Sequence, residues 1–273
     1  MPFHQVKFLI NQSLRSSGDG MIDAHAHFEF YKRETPKIID ECRKELKAVV
    51  DSITEYRKAH VWKSWEMLKP YFGFIFPTLG YHPNEARRGN WEKVKRVEEF
   101  IWKHKDEIVA VGEIGLDYHY VENEKQKENQ MQIFKHFLEL ALELKRPVVI
   151  HARESEKEAY EIVQRYDVNA YFHSFAGSKE LTKEIAENGH YIGINTGIVF
   201  IPEVKAAAEV LDVEAVLVET DSPYMSPFKG QRNKPCYVKV AVEEIAKLKE
   251  LSFEEVERIT EENAIKFFNL KLR

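Results

Sequence analysis

Eight short apolar runs alternating with amphipathic charged stretches predict an α/β chain of the (β/α)8, or TIM-barrel, class. The length of 273 residues agrees with this, since such barrels commonly run to about 250 residues. No Gly/Ser- or Pro-rich linker divides the chain, so residues 21–273 are expected to form a single domain. Residues 1–20, "MPFHQVKFLINQSLRSSGDG", form an N-terminal extension expected to pack outside the barrel, and Met21 is a candidate for the biological start.

The elements follow in order. "MIDAHAHF" (21–28), "AVVDSI" (48–53), "FGFIFPTLG" (72–80) and "IVAVGEIGL" (108–116) read as the first four strands. "PVVIHA" (147–152), "AYFHSF" (170–175), "YIGINTG" (191–197) and "AVLVETD" (215–221) read as the second four. Between strands four and five, "ENQMQIFKHFLELALELK" (128–145) repeats apolar residues every three or four positions, as one face of a helix does. Near the end, Ser252 followed by Glu255 reads as a capping box opening a last helix.

Composition narrows the functional classes. The net charge is −5, so bulk electrostatic binding of a phosphate polymer is not favoured and any such attraction must be local. The two cysteines, Cys42 and Cys236, form no CxxC pair and no disulfide framework, consistent with a reducing, cytoplasmic setting. No secretory leader is recognisable at the start, and no apolar run reaches membrane-spanning length.

The chemistry gathers at the strand ends. His25 and His27 are two apart on strand one, so both side chains leave the same face. Strand four brings Glu113, strand five His151, strand six His173 and strand eight Asp221. A barrel of this class assembles its active site from the C-terminal ends of different strands. Any one of these residues alone reads as structural; six placed independently at one mouth read as a metal centre. Four imidazoles and two carboxylates suit two divalent ions, with Zn²⁺, Mn²⁺, Co²⁺ or Fe²⁺ favoured over Mg²⁺ by the mixed N/O donors. Such a pair of ions lowers the pKa of a water held between them and offers positive charge to the oxygens of a scissile phosphate or carbonyl. No G-x-S-x-G elbow, Walker A loop or Rossmann glycine pattern offers a rival chemistry. Asp23 shares the face of the two histidines but lies deeper, which gives it a supporting role.

From about Met21 to Leu270 the chain resembles the TatD family of metal-dependent deoxyribonucleases, within the amidohydrolase-like barrels. The resemblance rests on "DAHAH", "GEIGLDY", "PVVIHARES", "FHSFAGS", "GINTGI", "VETDSPYMSP", "RNKP" and "TEENAIKFF", in that order. It implies that His25, His27, Glu113 and Asp221 surround one metal, and that Glu113, His151 and His173 hold the second. It also implies that Asp221 orients or deprotonates the attacking water, and that the substrate is DNA, with trimming of single strands from the 3′ end in some members. A small-molecule amidohydrolase or phosphoesterase with the same ligands is the alternative.

Substrate contacts are less sharply marked. His82 in "GYHPNEA" matches a family histidine facing the phosphate, or is a loop residue stiffened by Pro83. Arg153 reaches a phosphate oxygen or pairs with a helix carboxylate such as Glu156. Lys229, Arg232 and Lys234 in "PFKGQRNKP" make a local basic patch for DNA, or simply keep a loop soluble. Tyr118 and Tyr224 stack on bases or pack the barrel mouth. The chain departs from the family pattern at Ala26, Phe28, Glu29, Asn84 and Lys234, and again after strand two. None of these is a proposed ligand; the changes at Asn84 and Lys234, near the substrate, bear on substrate preference. The oligomeric state is not legible; a monomer is compatible.

Overall fold

A computed structural model describes residues 20–56 and 60–272. The expected 1–20 extension lies outside the described residues except for Gly20. Eight parallel strands run in sequence order around one sheet. They are β1 (Ile22–Ala26), β2 (Ala48–Glu55), β3 (Ile75–Tyr81), β4 (Ala110–Asp117), β5 (Val148–Arg153), β6 (Ala170–Phe172), β7 (Tyr191–Asn195) and β8 (Val216–Glu219). The α-helices are α1 (Thr35–Cys42), α2 (Val61–Leu68), α3 (Pro83–Ala86), α4 (Trp91–Lys103), α5 (Glu124–Leu144), α6 (Glu156–Val163), α7 (Lys179–Glu187), α8 (Pro202–Val210), α9 (Lys239–Lys249) and α10 (Phe253–Phe268). This is the expected (β/α)8 barrel.

The barrel closes where β8 meets β1, and side chains reinforce the seam. The Asp221 N–H donates to the His25 carbonyl at 3.0 Å and the His27 N–H to the Ser222 carbonyl at 2.8 Å. Below them, Asp23 accepts from the Thr220 N–H at 2.9 Å and from its hydroxyl at 2.6 Å. Asp23 is therefore a structural clasp, and its burial pushes its carboxyl up to about 8, against these hydrogen bonds.

Two apolar layers hold the strands. Outward-facing Val49, Ile53, Leu79, Val111 and Ile150 pack beneath the helices. Inside the barrel, Ile22, Ala24, Val50, Ala110, Val149 and Leu217 meet Phe267 and Phe268 of α10. Both phenyl rings pack edge-on against the buried Tyr171, at 5.9 and 6.1 Å between centroids. The last helix thus fills the N-terminal end of the barrel with aromatic carbon and leaves polar residues to the opposite mouth. It opens with the predicted capping box, in which Ser252 and Glu255 each satisfy the other's backbone N–H.

Candidate metal centre

The six residues expected to converge do so at the C-terminal mouth, where five of them line a cleft of about 400 Å³ and His25 lies buried beneath it. His25 ends in the barrel wall, while His27, His173 and Asp221 stand one or two residues past their strands. There the backbone leaves the pleat: Asp221 and Ser174 both take left-handed φ, +52° and +49°. Asp tolerates this region better than most residues. Strain of this kind clusters at functional sites. Glycine makes the close approaches possible. Gly115 has φ +139°, and a Cβ there would lie 2.0 Å from the His151 carbonyl oxygen, so only glycine lets β4 lie this tightly against β5.

The nitrogens and oxygens crowd. His25 Nε2 is 3.2 Å from His27 Nε2, and His151 Nδ1 is 3.2 Å from His173 Nε2. Glu113 Oε1 sits 2.6 Å from His151 Nδ1 and 2.8 Å from His173 Nε2. Its other oxygen, Oε2, lies 3.8 Å from His27 Nε2 and has no hydrogen-bond partner although buried. Asp221 Oδ1 is 3.6 Å from His27 Nε2 and 3.9 Å from His25 Nε2. The His25 and His173 rings stack at 3.9 Å. Buried imidazole nitrogens this close to one another and to carboxylate oxygens are poor partners without a cation and natural ligands with one. The sets His25–His173–Asp221, His25–His27–Glu113 and His82–Glu113–His151 each bring their donor atoms within 4.8 Å of one another. The residues therefore fit the divalent metals that the sequence implies.

Electrostatics follow from that crowding. Burial would raise the Glu113 carboxyl, but His82, His173 and the hydrogen-bonding imidazoles hold it well below the usual range, so it is a carboxylate. Burial and the neighbouring imidazoles of His173 and His27 hold His25 well below an ordinary histidine, keeping it neutral. Burial works the same way on His151, yet Asp117 and Glu113 overcome it and hold His151 up to about 10. The centre thus carries protons that a metal must displace.

Surrounding groups fix the rings. His27 Nδ1 donates to the Ser52 carbonyl at 3.0 Å, which turns its Nε2 lone pair toward the cleft. Asp117 Oδ2 lies 3.3 Å from His151 Nε2 and accepts from Asn84 Nδ2 at 2.9 Å. Glu219 accepts from the Tyr171 hydroxyl and the Ser174 N–H, both at 2.5 Å, beside His173 Nδ1 at 3.8 Å. Sequence reasoning singled out neither Asp117 nor Glu219. The signal was the strand period: Asp117 is four residues after Glu113 and Glu219 two before Asp221, each on its neighbour's face.

The expected substrate contacts divide. His82 reaches the centre: its Nδ1 accepts from the Asn84 N–H at 3.1 Å, leaving Nε2 3.5 Å from Glu113 Oε1. Arg153 lines the cleft with its guanidinium 5.6 Å over the Tyr120 ring, while Glu156 receives the Glu154 N–H at 3.3 Å. Arg232 does not line the cleft; it donates to the Phe30 carbonyl at 2.8 Å and lies 4.8 Å over the Tyr31 ring. Lys234 pairs with Glu41 at 2.7 Å. Two cations of the basic loop, Arg232 and Lys234, are thus engaged by neighbouring carbonyl, ring and carboxylate groups and do not line the cleft. Tyr118 donates to Glu158 at 2.8 Å outside the cleft, whereas Tyr224 lines it.

Comparison with known proteins agrees with this geometry. A profile described as TatD-related DNase matches residues 22–269. An uncharacterised metal-dependent hydrolase of Methanocaldococcus jannaschii is 39% identical, over 92% of this chain and 98% of its own length. The human deoxyribonuclease TATDN3 is 27% identical, over 93% of this chain and 97% of its own length. In structure, the TatD homologue YjjV of Escherichia coli K12 matches with a TM-score of 0.83 at 23% identity, over 92% of this chain and 98% of that one, which speaks to the fold. No helix among the described residues is long and apolar enough to cross a membrane. With a profile match spanning most of its length and a ligand-rich barrel mouth of the expected kind, this chain belongs to the TatD family of metal-dependent hydrolases.

Proposed function

We propose that this protein hydrolyses phosphodiester bonds of DNA with two divalent ions held by His25, His27, Glu113, His151, His173 and Asp221. One observation carries the reading: four imidazoles, three of them buried, and two carboxylates from five strands meet at one mouth, each with a donor atom within 3.6 Å of another's. His25, His27 and Asp221 would hold one ion, His151 and His173 the other, with Glu113 between them. Bound there, the ions supply Lewis acidity toward phosphate oxygens and acidify water near neutral pH.

The chain's own residues do the rest. Asp221, partly open to the cleft, orients the attacking water and takes its proton. The Nε2 of His82, directed at Glu113, and the Arg153 guanidinium face the position of the phosphate and offset charge as it develops. Asp117, 3.3 Å from His151 Nε2, keeps that ring in place, and Glu219 holds the Ser174 N–H next to His173. Arg232 acts on the substrate only indirectly, by fixing the backbone at Phe30.

The alternative, a small-molecule amidohydrolase or phosphoesterase, draws on the cleft volume of about 400 Å³, a size typical of small-ligand sites. A labelled single-stranded oligonucleotide separates the two. Cleavage by protein loaded with Mn²⁺, Co²⁺, Zn²⁺ or Mg²⁺ supports the nuclease; no cleavage with any of them, beside turnover of small esters or amides, selects the alternative.

A further inference from the structure

The metal centre leaves unexplained why one side of its mouth is aromatic. Phe30 follows β1, Tyr56 follows β2 and Tyr224 follows β8, so three adjacent strands each deliver one ring to the cleft. Phe30 stands in the middle. Its centroid is 6.2 Å from Tyr56 and 6.1 Å from Tyr224, with interplanar angles of 86° and 60°. The wall adjoins the centre: Phe30 is 5.5 Å from the ring of the ligand His27, and Tyr56 is 4.2 Å from the ring of His82. It is also open, since Tyr224 is 44% exposed. Across the cleft stand Arg153 and Tyr120.

We infer that Phe30, Tyr56 and Tyr224 form a stacking subsite for one unpaired nucleobase beside the scissile phosphate. The inference deepens the nuclease reading and rests on it. Every base has a π-face, so a ring wall captures bases without selecting a sequence. Phe30 stands 5.5 Å from the His27 ring, so a base on this wall lies beside the metal ligands. A base seated there must first leave its neighbours, so single strands and frayed ends bind in preference to intact duplex. Among the cleft's lining residues Arg153 is the one Arg or Lys, and Arg232, outside the lining, anchors the Phe30 carbonyl and so sets the wall's central ring. Phe30 and Tyr56 lie outside the six-ligand set, in the segments that follow β1 and β2.

The test uses metal-loaded full-length protein and two short single strands. One carries 2-aminopurine, whose fluorescence is quenched when it stacks; the other has the same sugar–phosphate chain without bases. The expected result is quenching by the wild type. Phe30→Ala and Tyr224→Ala should each raise KM for the base-bearing strand about tenfold, the scale of one base–aromatic stack, and leave the base-free strand unchanged. Phe30→Leu and Tyr224→Leu, which keep apolar bulk but lose the π-face, should abolish quenching with the fold intact. Absence of quenching by the wild type, or equal weakening on both strands, overturns the subsite. Binding with quenching but no cleavage overturns the nuclease reading and leaves the subsite standing.

Discussion

Asp221 is held in a left-handed backbone conformation that few residues adopt, with its carboxylate 3.6 Å from His27 Nε2. Replacing it by Asn keeps the shape and removes the base. Asp221→Asn should therefore lower kcat by about a thousandfold, within the usual range for a general base, while circular dichroism stays that of the wild type. Unchanged turnover would remove Asp221 from the proposed chemistry. His82 offers a second check at this scale. Burial holds it down to about 3, against an ordinary value of 6.5, with Glu113 opposing. Between those two values the unfolded chain binds a proton at this position that the folded chain does not. His82 therefore withdraws stability from the metal-free protein as pH falls through that window, whereas the buried Asp23 carboxyl, held up to about 8, adds to it. Thermal unfolding of chelated wild type and His82→Asn at about pH 7 and about pH 5 isolates the His82 share: on acidification the variant should lose less Tm, or gain more, than the wild type, and an equal change in both would contradict it. The six candidate ligands and His82 could be read from the sequence as strand-end residues within recognisable motifs, and the structure brings them together at one mouth. Asp117 and Glu219 could not, because they stand beside imidazoles carried on other strands. For Arg232 the sequence reports a cation in a loop but not its direction, which is toward the Phe30 carbonyl.

At the scale of elements, the eight strands were legible from short β-branched and glycine-flanked runs. The structure moves their ends by one to three residues. That small shift matters, because it places His27, His173 and Asp221 just beyond the pleat, where the backbone can turn their donors inward. The β1–β8 seam was invisible to local pattern, since Asp23 and Thr220 are 197 residues apart when they pair. The helix α10 was legible from its capping box, and the box gives a prediction at this scale. Ser252→Ala should cost about 1 kcal/mol, lowering Tm by roughly 2–4 °C. Ser252 begins the helix that fills the N-terminal end of the barrel, away from the cleft. Activity measured well below Tm should therefore be unaffected; a loss of turnover there would mean that α10 is coupled to the metal centre.

For the whole molecule, one end of the barrel is aromatic carbon and the other is imidazole and carboxylate, and the second is tolerable because the first is so well packed. His25, His27 and Glu113 are at most 5% exposed, and their proximity disfavours the metal-free fold through desolvation and crowding. Metal binding at these residues should therefore couple strongly to stability: a ligand that binds only the native state raises Tm with its concentration. The acidic net charge of −5 argues against capture of DNA by the global field, so the proposed function relies on Arg153 and the ring wall as local means. The most direct test is to strip the protein with a chelator, return Mn²⁺ in steps, and follow bound metal, Tm and cleavage of a labelled single-stranded oligonucleotide together. The account predicts that Tm rises as metal binds, and that cleavage, absent in the stripped protein, grows with filling of two ions per chain and is lost again on chelation. Cleavage that persists in fully stripped protein, or none at full occupancy with any of Mn²⁺, Co²⁺, Zn²⁺ and Mg²⁺, would contradict it.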